Sequence, residues 1–193
     1  GVGCDHADSS NRRFDLPPGI THPAYEKGGK HTTSRYWQPC LMENGKYIPT
    51  KPSDFGPDFF NDYVINYARS HRDKPFFIYY TSVLTHAPRV ETPDPENPGQ
   101  RWPAGLKSNL EYLDHLMGKL LASLKANGLD ENTVVLFVGD NGTVGDGKGQ
   151  ASELGARVPF IARGSGVKRG VVSRALGDVT DLFPTLAELA GAE

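Results

Sequence analysis

Five apolar residues, Val134 to Val138, run without interruption into Gly139, Asp140, Asn141 and Gly142. An unbroken apolar run of this length reads as a strand covered on both faces. Such a strand needs helices to cover it, and the neighbouring sequence supplies them. Upstream, Leu110, Leu113, Leu116, Met117, Leu120, Leu121 and Leu124 form one apolar stripe at helical spacing, with Asn127-Gly128 as a stop signal. Before that, Phe59, Phe60, Tyr63, Val64, Tyr67 and Ala68 repeat the helical pattern behind Pro57, a residue suited to a first turn. The aromatic and β-branched run Phe76 to Tyr80 reads as a second buried strand. Downstream, Val158 to Ala162 reads as a third strand. Val179 to Gly191 reads as a closing helix with Thr180 as N-cap, Pro184 in the first turn, and Leu182, Phe183, Leu186 and Leu189 on the buried face.

Helices alternating with strands predict an α/β fold with a mostly parallel sheet flanked by helices. The ordered pattern spans residues 55–193. Residues 1–54 lack sustained periodicity, carry the turn signals "LPPG", "KGGK" and "NGK", and read as a loop-rich segment with a short hairpin at Asn44-Gly45. At 193 residues the chain is long enough for one real core. The net charge of −2 offers no electrostatic case for nucleic acid or an acidic membrane. No apolar run approaches the roughly 20 residues of a membrane span. The first residues are polar rather than signal-like, and the absence of an initial Met suggests a processed chain or a piece of a longer one. Cys4 and Cys40 have no zinc spacing; they can pair once or stay as thiols.

In open α/β sheets, ligands gather beyond the carboxyl ends of the strands. Asp140 and Asn141 follow one such strand and offer a carboxylate and an amide oxygen, the donors that hard cations take. The flanking glycines allow close approach, although Gly-Asp-Asn-Gly equally spells a tight turn. His86 follows the other strand, at the start of a long loop with five prolines after it, and can donate to an anion or remain a surface histidine. Lys148, between Gly147 and Gly149, can reach an anion as a point charge or stay solvated. Its spacing is not that of a phosphate-binding Walker loop. Glu153 and Arg157 read as a structural pair. A divalent cation with cationic donors on one sheet edge suits a tetrahedral oxyanion, sulfate or phosphate.

At these residues the chain resembles the sulfatase family of the alkaline-phosphatase-like superfamily. "KPFFIYYTSVLTHAP", "NLEYLDHLMGKLLASLKANGLDENTVVLFVGDNGT", "GKGQASELGARVPFIARG" and "DLFPTLAELAG" are similar to family segments in the family's order, as is "RYWQPCLMENGKYIPT" ahead of the first helix. The resemblance covers roughly residues 35–193. It implies that Asp140 and Asn141 are calcium ligands, with calcium preferred over magnesium. It implies that His86 and Lys148 bind the sulfate and the leaving-group oxygen. The implied reaction is hydrolysis of a small-molecule or carbohydrate sulfate ester. Its nucleophile would be a hydrated formylglycine made from Cys or Ser in a Cys/Ser-x-Pro-x-Arg motif. Secretion or a periplasmic location is implied by resemblance alone.

No Cys/Ser-x-Pro-x-Arg motif and no Asp-Asp pair occur in this sequence, and the stretch from Asn141 to Lys148 is short for the family. The expectation is therefore a partial sulfatase catalytic domain, without the nucleophile region and the smaller C-terminal subdomain, and inactive as it stands. A phosphodiester or phosphonate hydrolase of the same superfamily, and a non-catalytic binding relative, are the competing readings.

Overall fold

The computed structural model describes residues 2–4, 18–19, 35–143, 145 and 147–192, without the side chains of 2–4. The chain divides into two compact units, Gly1–Asn132 and Thr133–Glu193.

The first unit is built on two helices, α1 (Gly56–Ser70) and α2 (Leu106–Ala126), which pack on each other. Both fall where the apolar periodicity places them, because one apolar stripe per helix must leave water. From α1, Phe60, Val64 and Ala68 are buried; from α2, Tyr112, Leu113, Leu116, Leu120 and Leu124. Leu110 belongs to the sequence stripe but is exposed.

Strands β1 (Val2–Cys4), β2 (Leu41–Glu43) and β3 (Lys46–Ile48) form an antiparallel sheet in that order. The β2–β3 turn is Asn44-Gly45, and both residues have positive φ, as a two-residue hairpin requires. Behind this sheet Tyr36, Cys40, Leu41 and Phe55 are buried, with Phe55 stacked on Tyr36 and edge-on to Tyr112 at 5.5 Å. Gly56 opens α1 because a side chain there would lie 2.1 Å from the Arg35 carbonyl oxygen.

A polar contact also joins the helices. The Tyr112 hydroxyl donates to Asp58 Oδ1 at 2.6 Å. Burial raises the Asp58 carboxyl above the usual aspartate range, with the Tyr112 hydrogen bond opposing it. The folded chain thus holds this proton more tightly than the unfolded chain does. The Asp58 contribution to stability is greatest below the ordinary value of about 3.9 and declines as pH rises through the raised one. Asp58→Ala leaves a buried hydroxyl unpaired and is expected to cost about 1–3 kcal/mol. Asp58→Asn keeps an acceptor and should cost clearly less, and both should flatten the pH dependence. Urea denaturation across a pH series that starts below the ordinary aspartate value and ends at neutrality checks this; equal losses for Ala and Asn would show that the hydrogen bond contributes nothing.

Two sequence expectations change in this unit. Phe76 to Tyr80 forms no ladder with any described strand, and it is not buried. Phe77 and Tyr79 are exposed while Phe76, Ile78 and Tyr80 are half-buried, the alternation of an extended chain with one covered face. The long proline-bearing loop also carries structure: β4 (Thr92–Pro93) pairs with β5 (Arg101–Trp102). Asp94 closes their connection by accepting from the backbone N–H groups of Glu96 and Asn97 and from the Asn97 side chain.

The second unit contains β6 (Val135–Val138), α3 (Glu153–Ala156), β7 (Phe160–Arg163) and α4 (Leu182–Leu189). Strand β6 pairs with β7 antiparallel, from Val135 opposite Arg163 to Val138 opposite Phe160. The expected mostly parallel sheet is not found among the described residues, where every strand pair is antiparallel. The reason here is local: the glycine loop after β6 folds back on itself and returns the chain alongside β6 in reverse.

All four β6 residues are half-buried rather than buried. Thr180 is not the cap: it lies inside a 3-10 turn, Val179–Asp181, that leads directly into α4 and is capped by Asp178. Helix α4 itself has Asp181 at its N-cap with no side-chain cap bond. The Asp178 carboxylate accepts from both the backbone N–H and the hydroxyl of Thr180, and Asp181 completes a capping box. An ionised acceptor makes the stronger bond to exposed N–H groups, so it takes the cap. The expected buried face of this helix is only partial, with Leu182 and Leu186 half-buried and Phe183 and Leu189 exposed.

Candidate functional site

Asp140 and Asn141 stand immediately beyond β6, and both are exposed. The ladder runs one step past the strand, where Gly139 N–H donates to the Pro159 carbonyl at 3.0 Å. The chain then turns away, so Asp140 and Asn141 project from the strand end.

The Asn141 side chain has a defined sense. Its Nδ2 donates to the Gly142 carbonyl at 3.1 Å, which a carbonyl can only accept. With Nδ2 engaged there, Asn141 Oδ1 can serve as an acceptor for a ligand, on the residue that follows Asp140. An amide oxygen beside a carboxylate is a donor set for a hard cation and not for a soft one. Among the described residues no cluster of three or more His, Cys, Asp or Glu side chains forms around it. The pair fits calcium in kind, and supplies two of the six to eight oxygens such an ion takes.

The loop after this pair is closed by backbone contacts. Gly142 N–H donates to the Gly155 carbonyl at 3.2 Å. A side chain at Gly142 would stand 2.0 Å from the Leu154 carbonyl oxygen, and one at Gly147 would stand 2.2 Å from the same atom. The Thr143 carbonyl accepts from both Gly147 N–H, at 3.0 Å, and Lys148 N–H, at 2.6 Å. Lys148 is therefore tied back to within two residues of Asn141, and its neighbours on the turn, Gly149 and Gln150, are exposed. The short connection from Asn141 to Lys148 is a closed turn that brings the acid, the amide and the lysine onto one loop. Glu153 and Arg157 pair at 3.3 Å across α3 with both side chains largely exposed, an arrangement that contributes little to stability.

His86 belongs to the first unit. Its backbone is held at both ends: its N–H donates to the Val83 carbonyl at 3.0 Å, and its carbonyl accepts from the Tyr36 hydroxyl at 2.5 Å. The same hydroxyl lies 3.0 Å from the Val83 carbonyl. The ring Nδ1 is 2.6 Å from the Ala87 carbonyl, so Nδ1 carries the proton and donates. That leaves Nε2 as the ring atom for a ligand. Further along, Asn109 Nδ2 donates to the Val90 carbonyl and Trp37 Nε1 to the Glu91 carbonyl, each at 2.8 Å. Arg101 lies over the Trp37 ring at 3.7 Å and pairs with Glu91 at 3.3 Å.

Tyr36, Trp37 and Asn109 are the residues that sequence reasoning passed over. They are far from the histidine loop in sequence, and spacing carries no trace of a contact across such a separation. The one available signal was the aromatic pair inside "RYWQPC".

Comparison with known proteins matches this chain to a protein-family model described as Sulfatase, over residues 57–192. It is 36% identical over 134 residues to arylsulfatase A of Homo sapiens, covering 63% of this chain and 26% of that protein. It is 29% identical over 170 residues to N-acetylgalactosamine-6-O-sulfatase of Bacteroides thetaiotaomicron, covering 77% of this chain and 33% of that protein. The crystal structure of Ps i-CgsB superposes with a TM-score of 0.68 at 27% identity, over 80% of this chain and 38% of that one. The same protein has been crystallised in complex with k-i-k-neocarrahexaose. The chain thus spans about a quarter to two fifths of the length of these relatives.

Proposed function

This chain belongs to the sulfatase family, and from that premise we propose that it carries the cation- and sulfate-binding residues of a calcium-dependent sulfuric ester hydrolase acting on a sulfated carbohydrate. The observation behind the proposal is the setting of Asn141: its nitrogen is engaged by the Gly142 carbonyl, which leaves its oxygen without a hydrogen bond to that neighbour, and it follows Asp140 directly at the exposed end of β6. The carbohydrate class rests on the relatives, one named for a sulfated amino sugar and one crystallised with a neocarrahexaose.

In this reading Asp140 and Asn141 each give one oxygen to calcium, which when bound supplies positive charge to the sulfate oxygens. Lys148 adds a compact ammonium on a turn already fixed by the Thr143 carbonyl, so little ordering is required to use it. His86 presents Nε2. With Nδ1 held by Ala87, only the doubly protonated ring has a second N–H to donate to a sulfate or alcohol oxygen. No Cys/Ser-x-Pro-x-Arg segment is present to supply a nucleophile, so the 193-residue chain should not turn over an aryl sulfate.

Calcium titration followed by NMR tests the metal assignment. Asp140 and Asn141 amides should shift with millimolar affinity, because two ligands make a weak site, and Asp140→Ala should abolish the response. No shift at either residue up to tens of millimolar calcium would overturn the assignment, as would an undiminished response in Asp140→Ala.

A further inference from the structure

We infer that Tyr36 is the positioning residue for His86, its hydroxyl holding the histidine's backbone so that Nε2 is presented to an anion from a loop that has no ladder of its own.

Residues 83–91 include no helix or strand, so nothing regular fixes the direction of any side chain there. His86 is nevertheless fixed at three polar atoms. Its N–H is taken by Val83, its ring Nδ1 by Ala87, and its carbonyl by the Tyr36 hydroxyl. The first two bonds are local and move with the loop. Among the described residues, the third of these bonds is the one that ties His86 to a separate part of the fold, across 50 residues of sequence. Its anchor is firm: Tyr36 is fully buried, its ring is stacked on Phe55, and the backbone carbonyl of Tyr36 accepts from Gly56 N–H at the start of α1 at 2.8 Å.

A phenol costs free energy to bury unless its hydroxyl is satisfied. Phenylalanine would fill the same core position without that cost, so the hydroxyl's use is what distinguishes tyrosine here. It has one proton to give, and the shorter contact, 2.5 Å, is to the His86 carbonyl, with Val83 sharing it at 3.0 Å. Among the described residues, two other long-range donors to this loop, Trp37 and Asn109, act on Glu91 and Val90, beyond the histidine. They restrain the far end of the loop and leave His86 itself to Tyr36.

The inference rests on the proposed role of His86 in binding sulfate, and the test separates the two. Tyr36→Phe keeps the stacked ring and removes only the donor. In the 193-residue chain, hydrogen exchange of the His86 amide should speed up by about tenfold, the equivalent of one ordinary hydrogen bond, while amides in the middle of α1 and α2 change little. In the same samples, inorganic sulfate should shift the His86 ring resonances of the wild-type chain, and Tyr36→Phe should weaken that response several-fold. Trp37→Phe, which loses the bond to Glu91, should leave the His86 amide unchanged.

A sulfate response and a His86 amide unaffected by Tyr36→Phe would overturn the inference. So would a loss of protection spread evenly through the unit, which marks a purely structural tyrosine. If wild-type His86 ignores sulfate while its amide still responds selectively to Tyr36→Phe, the positioning stands and the sulfate reading fails. Should Tyr36→Phe not fold, 3-fluorotyrosine at position 36 keeps the shape and makes a stronger donor. Slower exchange at His86 then supports the inference, and unchanged exchange overturns it.

Discussion

Leu116→Ala is expected to destabilise the first unit by about 3–5 kcal/mol, while Leu110→Ala, earlier on the same helix, should cost under about 0.5 kcal/mol. The two leucines look alike in the sequence stripe. Leu116 is 1% exposed and Leu110 is 49% exposed. Removing the buried side chain loses its transfer free energy and leaves a cavity between helices that cannot fully collapse. The site is tied as well as filled, since Asn61 Nδ2 on α1 donates to the Leu116 carbonyl at 3.1 Å. That bond should hold the two backbones apart and keep the cavity open. Both tryptophans, Trp37 and Trp102, lie in this unit, so urea unfolding followed by tryptophan fluorescence reads it selectively. Similar midpoints for the two variants would contradict the helix packing described above.

Gly142→Ala should break the loop that joins Asn141 to Lys148. The added methyl would stand 2.0 Å from the Leu154 carbonyl oxygen and 2.6 Å from Gly155 Cα. Both obstacles are backbone, so no rotamer change relieves them. The chain must instead move apart there, and the Gly142 N–H to Gly155 bond opens with it. Gly149→Ala is the matched control. Gly149 has φ of +79°, with open space where a methyl group would stand, so alanine there meets only the left-handed strain of about 1 kcal/mol. Amide exchange at Gly142, Gly147 and Lys148 should rise by orders of magnitude in Gly142→Ala and by less than about tenfold in Gly149→Ala. Calcium-induced shifts at Asn141 should disappear in the first and survive in the second. Retention of both protection and calcium response in Gly142→Ala would show that the loop does not need this close approach.

These two variants mark how far the sequence could be read. The periodicity that placed α1 and α2 is local, because side chains three and four apart share a helix face whatever else the chain does. The Asn44-Gly45 hairpin was legible for a similar reason, since its turn chemistry is carried by two adjacent residues. The cap at Asp178 was also within local reach. It was missed because Thr180 stands nearer the apolar run, although the carboxylate two residues earlier is the better acceptor.

Pairing and burial were different. Phe76 to Tyr80 has strand composition, but a strand exists only where another backbone meets it, and no described strand does. Strand β6 was expected inside a parallel sheet; its described partner is antiparallel β7, reached through a loop whose glycines permit backbone on backbone.

The residue types and their order nominated Asp140, Asn141, His86 and Lys148 as candidates, and the family to which the chain belongs follows from the same segments. What each of them can present was decided by tertiary contacts. Asn141 offers oxygen because Gly142 takes its nitrogen. Lys148 returns toward β6 because the Thr143 carbonyl collects two N–H groups. His86 offers Nε2 because Ala87 takes Nδ1, and Tyr36 holds its backbone from 50 residues away. Composition and spacing record which atoms a chain possesses. Which of those atoms remain available depends on which are consumed by hydrogen bonds inside the fold, and only the folded chain decides that.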